Sequence, residues 1–154
     1  MKKFKNVFNI LITTILLGIF CTACDSEQST ITILHTNDTH SQIEPIAAGK
    51  RDGNHAGYAR RMGIILQERA HDPNLLLFDA GDYSQGTPYF NFYHGRVEVD
   101  ALNRMGYDAI TLGNHEFDYG VDTLATILKQ AEFDVVSANY DVKNTPLEGI
   151  VKPY

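Results

Sequence analysis

Three short stretches carry the side chains best suited to chemistry: residues 37–40 (NDTH), 81–86 (GDYSQG) and 113–118 (GNHEFD). Asp38 and His40 are two residues apart, and alternate side chains of an extended chain point the same way. One carboxylate and one imidazole could therefore grip one cation; a turn aspartate beside a surface histidine would read identically. Asp82 offers two oxygens, enough to bridge two metals about 3.5–4 Å apart. Asp79 competes for that role, but its place at a strand end suits a structural hydrogen bond better. Asn114 adds an amide oxygen, a hard neutral donor for a divalent cation. His115 and Asp118 can meet if their loop enters a helical turn, and a carboxylate on one imidazole nitrogen leaves the other for a substrate. Asn114, Glu116 and Asp118 could equally be an acidic cluster at a helix start, where the helix dipole favours it.

The surrounding pattern supplies the elements that must hold these loops. Residues 30–36 (TITILHT) are β-branched and apolar, as a strand requires. Residues 75–78 form a continuous apolar run, expected of a strand buried on both faces. Residues 109–112 and 134–138 read as two further strands, and residues 149–154 as the start of another. Between them, residues 57–71 place Tyr58, Met62, Ile65, Leu66 and Arg69 at helical spacing. Residues 97–105 read as a helix stopped by Gly106. Residues 121–131 carry Val121, Leu124, Ala125, Leu128 and Ala131 on one face. The order βαβαβαβ predicts an α/β fold with a mainly parallel sheet. In such sheets ligands bind beyond the carboxyl ends of the strands, which is where Asp38, Asp82 and Asn114 fall. His35 is expected in the core of the first strand, and His55, His71 and His94 on the surface.

At 154 residues the chain holds one domain. It opens with Lys2, Lys3 and Lys5, followed by an apolar stretch over 7–20 and small residues before Cys24. These features predict a secretory leader over 1–23. Cys24 is the candidate lipidation site, residues 24–30 are a linker, and residues 31–154 are the folded part. The protein is therefore expected to be exported and held at a membrane by lipid, facing the periplasm or the cell surface. Ordinary cleavage after Ala23 and an uncleaved anchor are the alternatives. Removing the leader takes three of 13 basic residues and none of 19 acidic ones, leaving 10 against 19, or −9. That charge argues against nucleic acid as a partner, but not against a small phosphorylated substrate, because bound metals would reverse the local sign.

Residues 33–40 (ILHTNDTH), 79–90 (DAGDYSQGTPYF) and 111–120 (TLGNHEFDYG) together resemble the N-terminal metallophosphatase domain of the 5'-nucleotidase family, a branch of the calcineurin-like phosphoesterases. The resemblance implies a portion of a four-layer α/β sandwich and a site for two divalent ions, with Mn, Zn, Mg and Fe all suited. It implies that Asp38 and His40 ligate the first metal, Asp82 bridges and Asn114 ligates the second. His115 would stabilise the phosphoryl transition state, with Asp118 holding it. The implied reaction is hydrolysis of a nucleoside monophosphate; a related cyclic-nucleotide or nucleotide-sugar hydrolase is the alternative within the enzyme class. The family completes its site with three further histidines, one alone and two in a Gly-His-x-His motif, and neither motif occurs here. The expectation is a C-terminally incomplete member of reduced activity, completed by a second chain or surviving as a non-catalytic lipoprotein with a weak metal site. Incompleteness would also leave apolar surface bare beside the fourth strand and the 149–154 tail.

Overall fold

The computed structural model describes residues 29–153. The expected leader, Cys24 and residues 25–28 of the linker lie outside the described residues. Five strands form one parallel sheet in the order β1-β2-β3-β4-β5: β1 Ile33–Thr36, β2 Leu76–Asp79, β3 Ala109–Ile110, β4 Asp134–Val136 and β5 Val151–Lys152. The register pairs Ile33 with Leu76, Phe78 with Ala109, Ile110 with Val135 and Val136 with Lys152. The helices are α1 Tyr58–His71, α2 Pro88–Tyr93, α3 Arg96–Met105 and α4 Val121–Leu128, with a 3-10 turn at His115–Phe117. The α/β reading and its four strands hold, and the tail supplies a fifth.

Crossovers between parallel strands are right-handed in nearly all proteins, so strands laid down in sequence order put their crossover helices on one face of the sheet. Accordingly α1 packs on α3, and α3 on α4. The core lies between that row and the sheet, where Leu77, Val99, Leu102, Ile110, Leu124, Leu128 and Val135 are buried. No helix among the described residues covers the other face, and this explains the misplacement of His35. In β1, Leu34 and Thr36 are the less exposed residues, while Ile33 and His35 are exposed. Ile33 (54% exposed) and its register partner Leu76 are therefore open. The bare apolar strand surface is thus at the β1–β2 side rather than beside β4 and β5. His55, His71 and His94 are exposed, as expected.

Other departures are local. Leu66 is exposed and the α1 stripe runs through Tyr58, Met62 and Ile65. Helix α4 stops at Leu128, and Lys129–Ala131 closes as turns onto Ala125, Ile127 and Leu128 carbonyls. Helix α2, only six residues long, lies outside the expected pattern; Pro88 opens it and His94 ends it in the left-handed conformation. No helix separates β4 from β5; turns closed on Val142, Thr145 and Leu147 carbonyls bridge them. None of the described helices is long and apolar enough to span a membrane.

Candidate metal centre

The parallel pairing of β1 with β2 does not end with the strands. Ala80 N–H donates to Thr36 O (2.8 Å), Asp38 N–H to Gly81 O (3.0 Å), His40 N–H to Asp82 O (3.0 Å) and Ser41 N–H to Tyr83 O (2.8 Å). The two loops thus run on together past the carboxyl edge and bring residues 38–41 beside residues 81–83. The cost is backbone strain: Asp38, His40, Ser41 and Asp82 all have positive φ, between 44° and 53°. Non-glycine residues held there cost roughly 1–3 kcal/mol each, and such strain clusters at functional sites.

The third loop closes on the second. A Cβ on Gly81 would lie 2.7 Å from Gly113 N, and one on Gly113 only 2.1 Å from Asp82 Oδ1. His115 N–H donates to Asp82 Oδ1 (3.0 Å). The tie is Glu116, buried and accepting three backbone N–H bonds. Its Oε2 takes Asp82 (3.0 Å) and Gly113 (2.6 Å), and its Oε1 takes Ser84 (3.0 Å). Burial pushes its carboxyl above the ordinary glutamate value, and the Ser84, Gly113 and Asp82 amides oppose that rise.

These contacts gather most of the expected residues. One donor atom from each of Asp38, His40 and Asp82 lies within 4.8 Å of the others. His40 Nε2 sits 3.6 Å from Asp38 Oδ1. The His40 and His115 rings meet edge to face, 5.4 Å between centroids. His115 Nδ1 pairs with Asp118 Oδ2 at 2.9 Å, and that bond raises His115 above the usual imidazole range. Asn114 is exposed and precedes His115 on the loop that touches Asp82; its backbone carbonyl accepts from Phe117 N–H (3.2 Å). Asp79 is structural: it accepts from Thr36 Oγ1 (2.5 Å) and Gly81 N–H (2.9 Å).

A divalent cation fits this donor set. Ligands at about 2.0–2.2 Å stand at most about 4.4 Å apart across the ion, and the Asp38 and His40 donors are 3.6 Å apart. Among the described ion pairs, none puts a lysine or arginine on Asp38 or Asp82. His40 Nδ1 is buried with no hydrogen-bond partner, so the described residues commit neither ring nitrogen to an acceptor at hydrogen-bond distance.

Sequence reasoning misses the buried groups beneath the loops. From spacing, Glu116 reads only as part of a helix-start cluster. Glu98 on α3, fully buried, accepts from Ser41 Oγ, which also bonds Thr87 Oγ1 (2.6 Å) and so anchors the residue after His40. Nothing in local spacing marks either glutamate, because Asp82, Ser84 and Ser41, which they bond, are 32 to 57 residues away.

A parallel sheet whose carboxyl edge gathers carboxylates and imidazoles, with no lysine or arginine ion-paired to Asp38 or Asp82 among the described residues, defines a metal-binding α/β domain. The sequence profile of the calcineurin-like phosphoesterases matches residues 31–152, and the chain belongs to that family. It is similar to the snake venom 5'-nucleotidase of Naja atra, 45% identical over an alignment 132 positions long that covers 80% of this chain and 25% of that protein. Among solved structures, the 5'-nucleotidase precursor of Thermus thermophilus matches with TM-score 0.74 and 44% identity, over 80% of this chain and 25% of that one. The NAD nucleotidase of Haemophilus influenzae matches with TM-score 0.64 and 33% identity, over 71% of this chain and 20% of that one. The chain thus spans about a quarter of the length of the curated relatives it matches.

Proposed function

We propose that this chain supplies the first half of a dinuclear metallophosphatase site that hydrolyses a nucleoside monophosphate. The observation that carries the reading is the meeting of Asp38, His40 and Asp82 within 4.8 Å, beside the His115–Asp118 pair. Asp38 and His40 would hold one cation, Asp82 would bridge, and Asn114 would help hold a second. When bound, the ions would supply Lewis acidity toward phosphoryl oxygens and bring the pKa of water from 15.7 toward about 7. Asp118 fixes the tautomer and orientation of His115 through Nδ1, so Nε2 is the nitrogen left to donate to a phosphoryl oxygen as charge builds there. Four donors for two ions are few; a second chain would have to supply the remaining ligands if these residues act alone. Export and lipid attachment at Cys24 complete the reading. The likeness to an NAD nucleotidase favours, as the second reading, a substrate with a pyrophosphate link.

The test is phosphate release from a nucleoside monophosphate, and cleavage of NAD to two mononucleotides, by the purified chain with Mn²⁺ or Zn²⁺. Turnover lost in both His115→Ala and Asp82→Ala is the expected result. Turnover that survives Asp82→Ala would sink the assignment. Mn²⁺ binding that is lost in Asp82→Ala, without turnover, is the result expected of a half-site alone, and no Mn²⁺ binding at all would sink the metal-site reading.

A further inference from the structure

We propose that Glu116 is the positioning residue that sets Asp82 for cation binding, by standing in for a strand that is not there. This rests on the metal-site reading above. Strand β2 pairs with β3 only through Phe78–Ala109 and Asp79–Ile110, with Thr111 N–H still reaching Asp79 O (2.9 Å). Beyond that point the backbone hydrogen bonds after β2 continue on the β1 side alone, although Leu112 and Gly113 still lie against Gly81. The carbonyls of Gly81, Asp82 and Tyr83 remain paired with residues 38–41. The N–H groups of Asp82 and Ser84 face the other way, where a third strand would offer carbonyls two residues apart. Glu116 offers its two carboxylate oxygens there instead.

The substitution is geometrically apt. The chain is not extended here, since Asp82 has φ 53°, and the turn leaves the Asp82 and Ser84 N–H groups, two residues apart, within reach of one carboxylate. The same Oε2 takes Gly113 N–H, so a single side chain locks the loops after β2 and β3 together. Asp82 sits at φ 53° between Gly81 at φ 99° and Tyr83, a conformation the residue would leave if its N–H were released to water. Asp82 Oδ1 is then aimed by His115 N–H, whose own loop Glu116 holds from one residue further on. No ligand atom belongs to Glu116; it acts through Asp82.

Glutamine and alanine separate the contributions. In Glu116→Gln one oxygen becomes an NH2 that faces donors, so either the Ser84 bond or the Asp82 and Gly113 bonds fail; in Glu116→Ala all three fail. Mn²⁺ binding to the full chain, measured by titration calorimetry, is expected to weaken at least tenfold in Glu116→Ala and by a smaller factor in Glu116→Gln. Leu102→Ala, in the buried core on α3, controls for general destabilisation and is expected to bind Mn²⁺ as the wild type does. Amide exchange of the metal-free chain gives the second readout. Asp82, Ser84 and Gly113 are expected to lose protection in the Glu116 variants, with Leu77 and Val135 unchanged. Wild-type affinity in Glu116→Ala, or protection lost evenly across the sheet, overturns the proposal. A wild-type chain that fails to bind Mn²⁺ sinks the metal-site reading instead, and the exchange pattern still decides what Glu116 holds.

Discussion

Gly113 is where the smallest chemical change reaches Asp82. A Cβ there would lie 2.1 Å from Asp82 Oδ1, 2.7 Å from its Cγ and 2.8 Å from its backbone nitrogen. Moving only the nearest contact from 2.1 to 3.0 Å requires a shift of 0.9 Å. Two routes of relief are closed. Swinging the carboxylate breaks the 3.0 Å bond it accepts from His115 N–H, and moving the backbone breaks the 3.0 Å bond Asp82 donates to Glu116. Gly113 does not have a positive φ, so its backbone would accept alanine and only the lack of room is tested. Functional groups must be held within about 0.5 Å to work, and loss of a residue that orients a ligand costs about 10- to 100-fold in metal affinity. Gly113→Ala is therefore expected to bind Mn²⁺ about 10- to 100-fold more weakly, or about 1.4–2.8 kcal/mol. Calorimetric titration into metal-free protein, with circular dichroism to establish an unchanged fold, makes the measurement. A folded variant binding within twofold of the wild type would refute the claim that this missing side chain makes room for the ligand.

Two further outcomes are expected away from the ligands. Burial raises the Glu98 carboxyl above its ordinary value of 4.5, with the Ser41 hydrogen bond opposing. The folded chain then keeps a proton that the unfolded chain releases, so this group's contribution to stability falls as pH rises above about 4.5. Glu98→Gln should raise Tm near neutral pH and flatten that fall; a lower Tm there would show that the Ser41 bond outweighs desolvation. Arg69 on α1 donates from Nη1 to Met105 O (2.7 Å) and from Nη2 to Gly106 O (2.5 Å), capping the carboxyl end of α3. Arg69→Ala should cost about 1–3 kcal/mol in urea unfolding, as charged hydrogen bonds do, and a loss under about 0.5 kcal/mol would remove that role.

Much of this architecture was legible because long elements announce themselves by period. The stripes Tyr58–Met62–Ile65 and Leu124–Ala125–Leu128, and the apolar run before Asp79, all lie where the pattern put them. The rim followed from topology, since loops after parallel strands must share an edge, and Asp38, His40 and Asp82 do meet there. What stayed hidden depended on non-local partners. His35 looks like any interior strand residue until it is known that helices cover only one face. Helix α2 has six residues, less than two turns, too few to show a period. Glu116 reads as a helix-start acid because two of the three amides it serves, those of Asp82 and Ser84, belong to a loop more than 30 residues earlier.

The run of backbone bonds joining residues 38–41 to residues 81–83 has a thermodynamic corollary. Asp38 and His40 lie before α1 and Asp82 after β2, so an unfolded chain offers no preassembled cradle for an ion. Whatever affinity the folded rim has is therefore conformational stability too. An ion present at 100 times its dissociation constant adds about 2.7 kcal/mol by mass action, comparable to the strain of one or two left-handed residues in the loops that hold it.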